Sequence, residues 1–160
     1  MRALYVYYSR SGTTKKAAEM FARRTNAKSE EIKDGMDRKG ISGYFKSAKE
    51  AFRKEIIPIE PMKLDPSQYE IVVIGSPIWA GTISSPVRSY LEKNKGKFKR
   101  VGFFCTMNGS ENDKAAREVE MIVGKKLAVK TELNARDIKE GTISPRVECF
   151  IASMLTMPGF

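Results

Sequence analysis

Between Ser9 and Thr14 the chain reads Ser-Arg-Ser-Gly-Thr-Thr, four hydroxyls, a glycine and a single cation directly after an apolar run. Where a strand passes into a helix, the first backbone N–H groups point outward with the positive end of the helix dipole. Hydroxyls at Ser9, Ser11, Thr13 and Thr14 add donors, so the stretch reads as a cradle for phosphate. The same residues also make an ordinary capped helix start, because Ser and Thr are favoured caps. The spacing lacks GxxxxGK[ST] and its lysine, and it lacks GxGxxG. A single terminal phosphate suits it better than a triphosphate or a dinucleotide.

Two further stretches offer chemistry. In "GSPIWAGTISSPV", Gly75 to Val87, the only tryptophan of the chain, Trp79, lies among small residues and prolines. A flat apolar ligand would use an indole there, and Gly81 would let backbone approach the ring edge. The other reading is a tryptophan that packs the loop onto the core. In "CTMNGSEND", Cys105 to Asp113, the groups Thr106, Asn108, Gly109 and Ser110 could grip the carbonyls and nitrogens of a heterocycle. An Asn-Gly turn is the default for such a sequence.

Other chemistries are excluded by what the chain lacks. With no histidine, a zinc site or a Ser/His/Asp triad has no basis. Cys105 and Cys149 lie far apart and form no CxxC, which suits buried thiols in a reducing compartment better than a disulfide. No metal site and no protein nucleophile is expected. No apolar stretch approaches the length of a membrane span, and the first residues do not form a signal peptide, so a soluble, cytoplasmic protein is expected. The formal net charge of +10 suits nucleic acid, an anionic surface or an acidic protein, and equally a plain solvated surface. Basic residues are not interleaved with aromatics on any strand, which argues against nucleic acid.

These stretches need elements to hold them. Short runs rich in β-branched and aromatic residues at Ala3–Tyr8, Ile71–Ile74 and Val101–Cys105 predict central strands of a parallel sheet. "AKSEEIK" and "LAVKTEL" predict the edges. Stripes at Ala17, Ala18, Phe21 and Ala22, at Val87, Tyr90 and Leu91, and at Ala116, Val119, Ile122 and Val123 predict helices, as do Ile143, Val147, Phe150, Ile151 and Met154. Pro86 behind serines marks one helix start, and Gly124 marks a stop. At 160 residues, one doubly wound α/β domain of five parallel strands with helices on both faces is expected. Ligands of such sheets bind beyond the carboxyl ends of the strands at the switch point.

Together the hydroxyl loop "YYSRSGTTKKAA", the tryptophan loop "GSPIWAGTISSPVRSYL" and the small polar loop resemble the flavodoxin family, over nearly the whole chain. The second is similar to the first ring-binding loop of a flavodoxin-like prokaryotic subgroup. The resemblance implies strand order 2-1-3-4-5 and FMN as cofactor. It implies that Ser9, Ser11, Gly12, Thr13 and Thr14 receive the FMN phosphate with Arg10 alongside. It puts Pro77, Ile78, Trp79, Ala80 and Gly81 along the isoalloxazine, with Thr106, Asn108 and Gly109 on its other side.

The chain departs from the family pattern in its basic charge, in the absence of a tyrosine from the second ring loop, and in a segment over about 35–60. There Ile41, Phe45, Ala48 and Phe52 recur at helical spacing, opposite Lys46, Lys49, Glu50 and Arg53. This predicts an amphipathic helix, either a crossover whose apolar side covers the sheet or a lid or docking face hinged at Gly40 and Gly43. The function implied is electron transfer between redox partner proteins, acidic and ferredoxin-like ones among them, with FMN as the redox group. The alternative is an FMN-dependent NAD(P)H:quinone-type oxidoreductase acting on a small molecule. Monomer and homodimer both remain open.

Overall fold

The computed structural model describes residues 2–36, 40–109, 113–141 and 144–158. Ser110 and Ile143 lie outside these. Five parallel strands, β1 (Ala3–Tyr7), β2 (Lys28–Glu31), β3 (Ile71–Trp79), β5 (Val101–Met107) and β6 (Val129–Asn134), stand in the order β2-β1-β3-β5-β6. A sixth strand, β4 (Thr82–Ile83), turns back antiparallel on the end of β3. Counted along the parallel strands alone, the order is the expected 2-1-3-4-5. The two-residue β4 is an addition that no alternation over so short a stretch could reveal.

Central strands are buried on both faces, which is why they read as continuous apolar runs. Helices α1 (Thr13–Arg24), α2 (Gly40–Phe52), α3 (Ser85–Asn94), α4 (Lys114–Val123), α5 (Ala135–Glu140) and α6 (Pro145–Leu155) divide between those faces. On one, Phe21 of α1 meets Phe104 of β5 edge-on at 5.2 Å and Phe150 of α6 at 4.7 Å. On the other, Val87, Tyr90 and Leu91 of α3 and Val119 and Val123 of α4 share a core with Val72, Ile74 and Phe103. An exposed pair, Arg24 with Glu148 at 2.6 and 2.9 Å, ties α1 to α6.

The helix signals hold in detail. Pro86 lies in the first turn of α3, and Gly124 ends α4 in the left-handed conformation. The sequence does not predict α5, which is too short for a stripe. Its signals are chemical: the Asn134 side chain accepts from the Arg136 N–H at 2.8 Å, and Gly141 closes the helix at φ 77°.

Two expectations about the elements need correction. Residues 75–79, read as loop, continue β3, so Trp79 stands at a strand end. The amphipathic helix exists as α2, but it is turned the other way: Gly43, Ser47, Glu50 and Ala51 are buried, whereas Ile41, Phe45 and Phe52 face outward. Small residues on the inward side let the helix lie close to its neighbours, and that closeness leaves no room for the aromatic stripe.

Candidate functional site

The chain leaves β1 for the edge strand β2 and then returns to β3 on the other side of β1, so the switch point lies between β1 and β3. Register brings three strand ends to one level: Tyr7 pairs with Gly75, and Pro77 with Thr106. The Tyr8 N–H donates to the Gly75 carbonyl at 3.2 Å, holding the first loop to β3 as it departs. The hydroxyl loop, the tryptophan hairpin and the small polar loop therefore start side by side.

In the hydroxyl loop, Gly12 takes φ +87° immediately before α1, a left-handed conformation that disfavours a side chain, and nothing lies within 4 Å of where a Cβ would be. The first turn of α1 leaves N–H groups without intrahelical partners. Ser11 and Gly12 are exposed and Ser9 and Arg10 half-buried, while Thr13 and Thr14 are buried. The Ser11 and Thr13 hydroxyls lie 3.4 Å apart. Thr14 is hydrogen-bonded at 2.7 Å to Thr106, which couples the first loop to the third. The Ser9 hydroxyl is buried and has no hydrogen-bond partner among the described residues. A buried hydroxyl left this way costs free energy until an acceptor arrives. These groups fit a phosphate: an orphaned donor, exposed backbone at a helix start and no carboxylate within the loop itself.

The tryptophan loop is a tight hairpin. Trp79 pairs with Thr82 and Ile78 with Ile83, so Ala80 and Gly81 are its two turn residues, at φ 49° and 76°. Positive φ at both is the primed turn that matches strand twist, and Ala80 is held there against its intrinsic preference. Ala80 is exposed and Pro77, Ile78 and Gly81 are half-buried. Trp79 is buried, its indole edge-on to Tyr8 at 5.5 Å. Its ring thus packs the hairpin onto the core.

Beneath the hairpin lies a charged cluster that sequence reasoning missed. Glu118 of α4 accepts from the Thr82 hydroxyl, from the Ile83 N–H at 3.3 Å and from the Arg88 guanidinium. Arg88 also donates to the Thr82 hydroxyl at 3.1 Å. Both charged residues are buried. Burial pushes the Glu118 carboxyl up, but hydrogen bonds from Arg88, Thr82 and Ile83 outweigh it and hold the group below the ordinary carboxylate range. Ser84 adds a second tie, its N–H donating to the Ser76 hydroxyl at 3.0 Å. An Arg and a Glu 30 residues apart at polar positions on amphipathic helices carry no motif, so nothing in the pattern marks them as partners.

In the third loop Thr106 is buried and Asn108 and Gly109 are exposed. Beside the hydroxyl loop a pocket of about 270 Å³ is lined by Tyr8, Ser9, Arg10, Glu31, Asp34 and Glu60, among others. Larger concavities of about 530 and 440 Å³ run along β6. Among the described residues no group of His, Cys, Asp and Glu could hold a metal ion, and no helix is long and apolar enough to cross a membrane.

Comparison with solved structures finds the same fold in several flavoproteins. A flavoprotein from Lactobacillus acidophilus, solved in complex with FMN, superposes with a TM-score of 0.72 at 22% identity, covering 87% of this chain and 97% of the other. A flavodoxin from the domain Archaea gives 0.57 at 17% identity, covering 98% of this chain and 100% of the other. A WrbA-like flavodoxin from Agrobacterium tumefaciens gives 0.58 at 13%, covering 98% and 99%. Curated protein sequences give no match. The family model described as flavodoxin matches residues 2–145, and with that match over nearly its whole length the chain belongs to the flavodoxin family.

Proposed function

We propose that this chain binds FMN and carries electrons between redox partner proteins in the cytoplasm. The observation behind the reading is the buried Ser9 hydroxyl, which has no acceptor among the described residues although it stands in a loop of donors at the start of α1. A phosphate oxygen is the acceptor such a group needs. FMN binding by a Lactobacillus acidophilus flavoprotein of the same fold supports the assignment.

When bound, FMN supplies the electron-accepting and electron-donating chemistry. The chain then holds and orients. Hydroxyls of Ser9, Ser11, Thr13 and Thr14, with Gly12 backbone and the first turn of α1, would receive the phosphate, and Arg10 would stand beside it. The flat ring would lie along the hairpin, bordered by Pro77, Ile78, Trp79, Ala80 and Gly81. Thr106, Asn108 and Gly109 would face its other side. The Glu118 cluster keeps Ala80 and Gly81 fixed without touching the ring.

The test is to load the purified chain with FMN and offer it two donors in turn. Rapid reduction by a small reduced iron–sulfur protein, with negligible NAD(P)H oxidation in the presence of a quinone, is the expected outcome. Steady NAD(P)H consumption with a quinone would instead make the protein a reductase of small molecules.

A further inference from the structure

Helix α2 carries its large side chains outward, with Ile41 78%, Phe45 67%, Phe52 76% and Tyr44 52% exposed. Ile56, just beyond the helix, is exposed as well. Its inward side is already filled by Gly43, Ser47, Glu50 and Ala51, and the Ser47 hydroxyl donates to the Gly43 carbonyl at 2.7 Å. Both ends are tethered. At the start, the Arg10 guanidinium lies 5.4 Å from the centre of the Tyr44 ring. At the end, Lys54, at φ 56°, places its ammonium 3.9 Å from Glu118. The stripe therefore cannot turn inward without breaking these contacts, and it begins beside the hydroxyl loop.

An exposed apolar stripe of this kind marks an interaction site. Helical spacing of 100° per residue puts Lys46, Lys49 and Arg53 together along one side of it. All three are exposed. We propose that the outward face of α2 is the docking surface for an acidic protein, whose apolar centre seats on Ile41, Tyr44, Phe45 and Phe52 and whose carboxylates meet Lys46, Lys49 and Arg53. Charge decides the occupant. A second copy would bring the same basic flank and another +10. A flat anionic bilayer would gain from one flank only. Beyond Tyr44 and Arg10 it would meet Glu31, Asp34 and Glu60, which line the neighbouring pocket. A protein surface can be contoured to both. This inference rests on the electron-carrier reading, since a partner seated on α2 stands next to the loop assigned to phosphate.

The test measures, by calorimetry, the affinity of the FMN-loaded chain for a small acidic iron–sulfur ferredoxin at low and high salt. It compares wild type with Phe45→Ser/Phe52→Ser, with Lys46→Glu/Lys49→Glu and with Met121→Ser, an exposed apolar position on α4. Flavin absorbance reports that each variant is folded and loaded. Kd is expected to rise about tenfold or more in both α2 variants and not in Met121→Ser. Added salt should weaken wild-type binding and leave the lysine variant little changed. Unchanged Kd in the α2 variants with normal flavin loading overturns the docking surface alone, as does a wild type that fails to bind the ferredoxin. So does a dimer in sedimentation, or capture by phosphatidylserine vesicles, that Phe45→Ser/Phe52→Ser abolishes. Failure of the wild type to take up FMN overturns the electron-carrier reading, and this one with it.

Discussion

At Gly75 a side chain would have nowhere to go. A Cβ built there would collide with the Phe104 ring and lie 2.9 Å from the Tyr7 Cβ, in the middle of the sheet where neither can retreat. Gly75→Ala is therefore expected to destabilise the fold by about 1–3 kcal/mol, measured by denaturant unfolding. An unchanged midpoint would mean that the Phe104 ring moves freely. The cysteines differ in the same way, by surroundings. Cys105 is buried, and burial, with the Glu132 carboxylate adding to it, pushes its thiol up to about 12. Cys149 is exposed, contrary to the expectation that both thiols are buried. Because the thiolate is the reactive form, a thiol reagent at neutral pH should label one cysteine per native chain and both after denaturation. Labelling of both in the native state would contradict the burial of Cys105. The residue most informative for function, Ser9, was legible in the sequence as a member of a hydroxyl-rich loop. That its hydroxyl lacks a partner among the described residues was not, because satisfaction of a buried group depends on every neighbour in space.

Among the elements, the β3–β4 hairpin depends on a charge that lies outside it. Glu118→Ala would strand Arg88 as a buried cation, a loss of about 3–5 kcal/mol, and would free the turn at Ala80 and Gly81. Because the folded Glu118 carboxyl is held below its ordinary value of 4.5, its contribution is complete above that pH and fades as pH falls through the folded value. The stability gap between wild type and Glu118→Gln should accordingly narrow on acidification below about pH 4.5. A gap that stays constant with pH would contradict the ion-paired geometry. Helix α2 shows why elements are more legible than their orientation. The repeat of Ile41, Phe45, Ala48 and Phe52 correctly marks a helix and a stripe, but periodicity says nothing of what a stripe faces. The inward side was decided by Gly43, Ser47 and Ala51, whose small size permits close approach. Strands and long helices, by contrast, were readable because burial on both faces and one-sided burial leave different periods in the sequence. Short elements such as β4 and α5 leave too few positions for any period.

For the whole molecule, topology follows from the alternation of these elements. The sheet order and the switch point between β1 and β3 bring loops distant in the chain to one edge, as the registers Tyr7 with Gly75 and Pro77 with Thr106 show. The alternation of strands and helices was legible in the residues, whereas the strand order came with the resemblance to flavodoxins, one of the few arrangements a doubly wound sheet permits. The Arg88–Glu118 clamp and the outward turn of α2 were not, as both arise from packing between elements. The central claim concerns the loop from Ser9 to Thr14, and two ligands that share a flat ring and differ in the phosphate isolate it. Titration of the chain with FMN and with riboflavin, followed by quenching of flavin fluorescence, should show one FMN per chain. It should also show riboflavin bound about tenfold or more weakly, a difference of at least about 1.4 kcal/mol assignable to the phosphate. Equal affinity for the two, or no uptake of either, would contradict the phosphate cradle.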